Sequence, residues 1–262
     1  MSHTVDANGL YVRGGALWQS GDVSGAVEAY RAALALDDGH LGARFSFGNL
    51  LENVGELEEA VAAYRRLIEL DGAHAGARYG LGNVLYSMGD LTGARAAYTS
   101  VMALDPSHLG ALYNLGSVHW SLGDLPEAAA AYQAMLDLDS RHTEAGKSLA
   151  RVRQHQGDLP GAAAAYRAVL AVDPVQTGAH HGLGNVLKAL GDWPGAEAAY
   201  RSALGLDPDH SSVHFNLGHV LWSAGNVEEA MVAYASVSTD DPKYGRAALS
   251  CLDALQRQGS NP

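Results

Sequence analysis

LGALYNLGSVHWSLGDLPEAAAAYQAMLDLDSRH, residues 109–142, is one copy of a pattern that runs through almost the whole chain. Its tyrosine, Tyr132, has counterparts at Tyr30, Tyr64, Tyr98, Tyr166, Tyr200 and Tyr234, each 34 residues from the next. A strict period of this length marks stacked repeats rather than a single compact core. Phasing from Ala7 gives seven units: 7–40, 41–74, 75–108, 109–142, 143–176, 177–210 and 211–244. A lead-in, 1–6, stands before the array and a segment, 245–262, after it. Such an array is expected to be one elongated stack in which each unit touches only its neighbours.

Four positions never vary: Gly at 15, Ala at 20, Tyr at 24 and Asp at 31. Glycine reaches the φ > 0 conformation that ends a helix. Alanine lets two helix backbones approach, and tyrosine is a large wedge with a polar tip. Asp at 31 closes a second helix, and proline follows it at Pro106, Pro174, Pro208 and Pro242. Pro126, Pro160 and Pro194 fall in a first helical turn, where a missing N–H does no harm. Each unit therefore reads as helix A (roughly positions 2–14), a tight turn, helix B (roughly 18–30) and a short loop. The segment 245–258 carries Ala247, Ala248, Leu249, Cys251, Leu252 and Leu255 at helical spacing. It reads as a helix capping the last unit, with Cys251 a small buried hydrophobe.

Composition sets the class. The net charge of −12 disfavours nucleic acid and anionic lipid as partners. No apolar run is long enough to span a bilayer, and the opening MSHTVDANGL has neither the basic start nor the apolar stretch of a signal peptide. A single cysteine fits a reducing compartment. A cytoplasmic location is expected.

Leu-Gly at positions 7–8 (Leu81-Gly82, Leu115-Gly116, Leu183-Gly184, Leu217-Gly218), Gly-Asp at 15–16, Ala at 20, Tyr at 24 and Pro at 32 resemble the tetratricopeptide repeat. The resemblance covers 7–244. It implies an all-α right-handed superhelical solenoid, with the A helices lining a concave groove. The family's Trp at position 4 is missing; Leu10, Arg44, Arg78, Leu112, Gly146, His180 and His214 stand there.

On a helical wheel, positions 3, 4, 7, 8, 10, 11 and 14 of helix A form a packing side. Positions 2, 5, 6, 9, 12 and 13 lie opposite, and that free side is not plainly polar as a solvated face would be. Position 5 carries Tyr11, Phe45, Tyr79, Tyr113, His181 and Phe215, and position 12 carries Trp18, Tyr86, Trp120, Lys188 and Trp222. Position 9 offers Asn49, Asn83, Asn185 and His219, and position 6 adds Asn114 and Asn216 to an otherwise small set. Asn provides a donor and acceptors suited to an extended peptide backbone, and aromatic rings give contact area at low entropy cost. The expectation is a peptide-binding groove with aromatic walls and a low floor of Gly and Ser. The same residues also read as fillers between neighbouring A helices, and Gly at position 2 as an aid to helix packing.

Unit 143–176 departs most. Lys147 replaces the aromatic at position 5, Arg151 the Asn at position 9, and Arg153 the apolar residue at position 11. With His155, His181, Lys188 and His219 these make a cationic stretch that could receive an anionic group on a ligand. In part it resembles the carboxylate clamp of chaperone-binding tetratricopeptide domains: Lys147 and Asn216 match in type, whereas Arg151 and Gly182 depart. Histidines recurring at position 34 (His40, His74, His108, His142, His210) read as structural loop residues, and no metal or cofactor is expected. No nucleophile elbow, phosphate loop or paired-carboxylate signature is present, so the chain reads as non-catalytic. Three roles remain open: an adaptor binding a protein or peptide, as a monomer or weak oligomer; a self-assembling scaffold; and a substrate-presenting subunit of a modifying complex.

Overall fold

The computed structural model describes residues 6–259; the expected lead-in before Asp6 and the tail after Gly259 lie outside the described residues. Regular structure among the described residues is helical throughout. Seven hairpins follow one another: α1 (Ala7–Gln19) with α2 (Val23–Leu36), α3 (Leu41–Val54) with α4 (Leu57–Leu70), α5 (Ala75–Ser87) with α6 (Leu91–Leu104), and α7 (Leu109–Leu122) with α8 (Leu125–Leu138). Then come α9 (Thr143–His155) with α10 (Leu159–Val172), α11 (Thr177–Ala189) with α12 (Trp193–Leu206), α13 (Ser211–Ser223) with α14 (Val227–Ala235), and a final α15 (Gly245–Gly259). None of these helices is long and apolar enough to cross a membrane. Helix A is the odd-numbered partner of each pair and helix B the even-numbered one.

The boundaries have local causes. All seven position-15 glycines sit at φ between 79° and 85°, a conformation that a side chain would strain. Next to them, Asp22, Asp90, Asp158 and Asp192 accept from the N–H three residues on, so helix B starts one residue earlier than the sequence suggests. Asp at position 31 folds its carboxylate back onto the loop, as Asp37 does on the Gly39 N–H and Asp173 on the Val175 N–H. The position-34 histidines do more than line a loop. His40, His74, His108 and His142 accept through Nδ1 from the N–H of Ala43, Ala77, Ala111 and Ala145, capping the next helix A. Helix α14 stops five positions before its expected end. Ser236, Ser238, Thr239 and Asp240 are poor helix formers there, and Asp241 turns back to accept from the N–H groups of Lys243 and Tyr244.

Where the sequence alone suggests one continuous array, the chain divides into two compact units, Met1–Ala131 and Tyr132–Pro262. A stack whose members touch only their neighbours has no global core to hold it as one body. Each unit has a core of its own: one runs from Ala26 to Val118, the other from Ala150 to Leu255. In the second, α15 contributes Ala248 and Leu255, while Leu249 faces outward and Cys251 is only partly buried, against the sequence expectation for both. The Cys251 thiol lies beside the Tyr234 hydroxyl.

Both cores are organised by the repeating tyrosine. Tyr64 is fully buried. Its ring lies so close to Gly48 of its own hairpin and Gly80 of the next that a Cβ there would approach ring carbons to 2.8 Å and 2.5 Å. Tyr30, Tyr98, Tyr200 and Tyr234 press in the same way on Gly14, Gly82, Gly184 and Gly218, and Tyr166 presses on Gly182 of the following hairpin. Position 8 is therefore small because the tyrosine of its own hairpin occupies the space, and position 6 because the tyrosine of the previous one does. Overpacking of this kind costs about 1–3 kcal/mol. Gly80→Ala is accordingly expected to lower unfolding free energy by about that much in chemical denaturation. Gly178→Ala, exposed at a helix start with nothing within 4 Å of the new methyl, should leave it unchanged or raise it by roughly 0.5–1 kcal/mol.

Candidate functional site

In the first unit, the A-helix side expected to be free is an interlocked aromatic and amide surface. The position-5 rings Tyr11, Phe45 and Tyr79 lie against the capping histidine of the next helix A. Ring centroids are 5.1 Å apart for Tyr11 and His40, 5.0 Å for Phe45 and His74, and 4.9 Å for Tyr79 and His108. The same rings stand over the position-2 glycines: a Cβ on Gly42 would meet Tyr11 at 3.5 Å, on Gly76 would meet Phe45 at 3.2 Å, and on Gly110 would meet the Tyr79 hydroxyl at 2.8 Å. The expected glycine floor is thus roofed by these rings, and at positions 6 and 8 it is filled from beneath by the tyrosine wedges. Small residues here serve packing, the second of the two sequence readings. Gly178 alone of the position-2 set stays open.

The amides are also partly engaged. Tyr64 donates to Asn49 Oδ1 (2.7 Å) and Glu52 Oε2 (2.8 Å), and Tyr98 donates to Asn83 Oδ1 (2.9 Å). Asn114, from the next hairpin, points its Nδ2 at Asn83 Oδ1 (3.0 Å), the Tyr98 hydroxyl (3.2 Å) and the Tyr79 hydroxyl (3.3 Å). Position 12 reaches farthest out: Tyr86 is 39% exposed, and Trp18 is partly buried against the core. Tyr113 and Trp120 are half-buried on α7.

The second unit repeats this network and charges it. Tyr200 donates to Asn185 Oδ1 (2.8 Å), and Asn216 Nδ2 reaches the same oxygen (3.3 Å) and His181 Nε2 (3.5 Å). Lys188 donates to Asn216 Oδ1 (2.7 Å). Phe215 meets His219 edge-on at 4.7 Å and Tyr244 at 5.3 Å, while Trp222 packs against the core. The cationic stretch comes apart. Lys147 pairs with Glu144 (2.6 Å) and donates to Gln176 (3.1 Å), and Arg153 turns to the opposite side of α9, toward Gln133 and Gly161. Arg151 stays exposed, and its charge partly offsets the burial that raises the Tyr166 phenol. Among the described residues no group of three or more His, Cys, Asp or Glu could hold a metal ion.

Comparison with known proteins fits this geometry. The tetratricopeptide repeat family profile matches residues 4–41, 45–107, 82–143 and 181–244. The chain belongs to the tetratricopeptide repeat family. Among solved structures it is similar to YrrB, described as a TPR protein with an unusual peptide-binding site, at 26% identity over 77% of this chain and 100% of that one, TM-score 0.63. It shares the fold of the C-terminal part of a TPR repeat-containing protein from Cytophaga hutchinsonii (12% identity, 92% and 99% covered, TM-score 0.80) and of MamA from Desulfovibrio magneticus (22%, 66% and 98%, TM-score 0.61). Comparison with curated proteins returns no match. The matched stretches of this TPR chain leave out 144–180, which holds nearly all of the divergent fifth repeat.

What the sequence reading missed is the part played by the TPR tyrosines, which it confined to the frame. Their hydroxyls pass between the helices and orient the position-9 asparagines. The signal was present: an Asn stands 15 residues before the tyrosine in the pairs Asn49–Tyr64, Asn83–Tyr98 and Asn185–Tyr200. Burial, and then the hydrogen bond to Glu52, keep the Tyr64 phenol protonated well above its ordinary range. In the second unit burial is again the largest cause, with His210 and Lys188 adding to it, and the His181 imidazole is pushed down to about 4 from 6.5. Neutral His181 can then accept from Asn216. A histidine depressed on folding is protonated more readily when unfolded, so its contribution to stability is complete above about 6.5 and is lost as pH falls toward 4. Urea denaturation across that window should show wild type losing more stability than His181→Phe, whose slope lacks this component.

Proposed function

We propose that this chain is a non-catalytic adaptor that binds an extended peptide along the A-helix faces. Tetratricopeptide repeat proteins act as protein-interaction modules, and YrrB is described as carrying a peptide-binding site. The observation that carries the reading is the surface itself. Rings at position 5 (Tyr11, Phe45, Tyr79 and Phe215) are held by histidine and tyrosine partners, rings at position 12 stand beside them, and amides fixed in orientation lie between. Rings and amides already immobilised lose little entropy when a ligand arrives, and this preorganisation raises affinity.

The roles divide by position. At position 12, Trp18, Tyr86, Trp120 and Trp222 would receive apolar side chains. Asn49, Asn83, Asn114, Asn185 and Asn216 would meet the peptide backbone with whatever bonding capacity the frame leaves them, since an amide offers two donors and an acceptor oxygen with two lone pairs. Tyr11, Phe45, Tyr79, Tyr113 and Phe215 would supply the walls. Lys147, Arg151, His181, Lys188 and His219 would favour an anionic group near the later repeats. Their charge is reduced by the Lys147–Glu144 pair and by the neutral His181, so the preference should be modest.

Peptides selected from a phage-displayed random library on the full chain would test this, with affinities read by fluorescence anisotropy. Tyr86→Ala and Trp222→Ala should each weaken the selected peptides by about tenfold, in line with aromatic anchors worth more than 1 kcal/mol, without altering the circular dichroism spectrum. Failure to enrich any peptide, or affinities untouched by both substitutions, would contradict the reading.

A further inference from the structure

Repeat 5 differs from the others on its packing side as well. Between the C-terminal half of α8, α9 and α10 lies a cavity of about 410 Å³, within the roughly 300–1,000 Å³ typical of small-ligand sites. Helix α9 lines it with positions 1, 4, 7 and 11, the side away from its peptide-facing residues.

Two residues set it apart. At position 4 other repeats carry side chains that reach back to the preceding loop: Arg44 donates to the Asp38 carbonyl, Arg78 to that of Gly72, and the His180 and His214 rings contact those of Pro174 and Pro208. Gly146 has no side chain to reach that loop, and Val169 of α10 closes on it instead: a Cβ there would meet Val169 Cγ2 at 2.5 Å. At position 11, where five repeats have leucine, stands Arg153. The corresponding cleft beside α5 and α6 is lined by Arg78 and Leu85 at these two positions.

The wall opposite is apolar and short: Ala164, Ala165, Ala168 and Val172 of α10. Arg153 is held at the rim by bonds to Gln133 Oε1 (3.1 Å) and the Gly161 carbonyl (3.4 Å), with Asp158 4.0 Å away. A guanidinium carries five N–H donors, so further donors stay available beside the cavity. Arg141 adds a second cation to the lining, and the Asp137 carboxylate there accepts from Gln133 (3.0 Å).

We propose that this cavity binds a small hydrophobic carboxylate, its apolar group against the alanine wall and its carboxylate on Arg153. A planar guanidinium matches a carboxylate in two parallel hydrogen bonds, which gives direction as well as affinity. The acid can reach the site as a free molecule or as the C-terminal residue of a partner, and both present the same chemistry. This site uses the other side of α9 from the peptide face and stands independently of that reading.

Isothermal titration calorimetry on the full chain tests it with two acids: 3-phenylpropionate and a tetrapeptide ending in a free-carboxylate phenylalanine. Each is compared with its neutral counterpart, 3-phenylpropanol and the peptide amide. At least one acid should bind saturably, and its neutral counterpart at least about tenfold more weakly, as expected when a charge-assisted bond is lost. Arg153→Leu, which restores the residue usual at that position, should weaken the acid equally and leave the neutral compound unchanged. Ala168→Phe, at an exposed helix position, should fill the cavity and abolish binding. Saturation by the free acid alone identifies a small-molecule site, and by the peptide alone a C-terminal tail site. No saturable binding of either acid, or acid binding that survives both substitutions, overturns the proposal.

Discussion

The packing of this molecule leans on the fit between a repeating tyrosine and the glycine-sized gaps beside it, two of them at Tyr64 and one at Tyr30, Tyr98, Tyr166, Tyr200 and Tyr234. The position-24 ring rises from helix B, fills the space left by Gly at position 8 of its own helix A, and meets position 6 of the next. A buried side chain of this size contributes roughly 1.5–3 kcal/mol by removal of apolar area from water, and here the same ring fixes both the hairpin and the step to its neighbour. The strictness of the 34-residue period follows. A wedge shared by two hairpins cannot shift by a residue without losing both sets of contacts. The invariant glycine turn and Asp loop then only have to return the chain to the same starting geometry.

The wedge also determines what the A-helix side can offer. Its hydroxyl emerges among the position-9 and position-12 side chains and bonds to them. Asn49, whose oxygen accepts one bond, and Asn83 and Asn185, whose oxygens accept two each, are therefore parts of a frame. Where position 6 is Asn rather than Gly, the next hairpin joins the same network, as Asn114 does in one unit and Asn216 in the other. The position-5 rings Tyr11, Phe45 and Tyr79 are pinned by the histidines that cap the following helix. The surface is consequently stiffer than a row of independent side chains would be, and a stiff surface discriminates among ligands by fit.

The fold was legible because its determinants repeat: seven glycines, seven tyrosines and seven aspartates at fixed spacing leave little choice of architecture. Helix ends were legible to within a residue except at α14, where weak helix formers unwind the last turns without breaking the 34-residue count. The division into two compact units was not legible, since it lies in the distribution of contacts and not in any residue type. For the site, the wheel groups the position 5, 9 and 12 side chains on one side of helix A, but Tyr11, Trp18, Phe45, Tyr79, Phe215 and Trp222 there pack partly against the cores. It failed on their partners. Tyr11 with His40, and Asn114 with Asn83, join across hairpins, and a single-helix projection carries no such information. Arg153 was grouped with cations on the free side although its own position on the wheel faces inward, and the structure follows the wheel.

The central claim is that the tyrosine which packs the frame also sets the amides on the A-helix side. A double-mutant cycle on Tyr98→Phe and Asn83→Ala, measured by urea denaturation, addresses it most directly. If the hydroxyl and the amide act as one unit, the two changes will be non-additive, with a coupling energy of about 0.5–1.5 kcal/mol. Additivity within about 0.3 kcal/mol would mean that Tyr98 packs without organising the face above it.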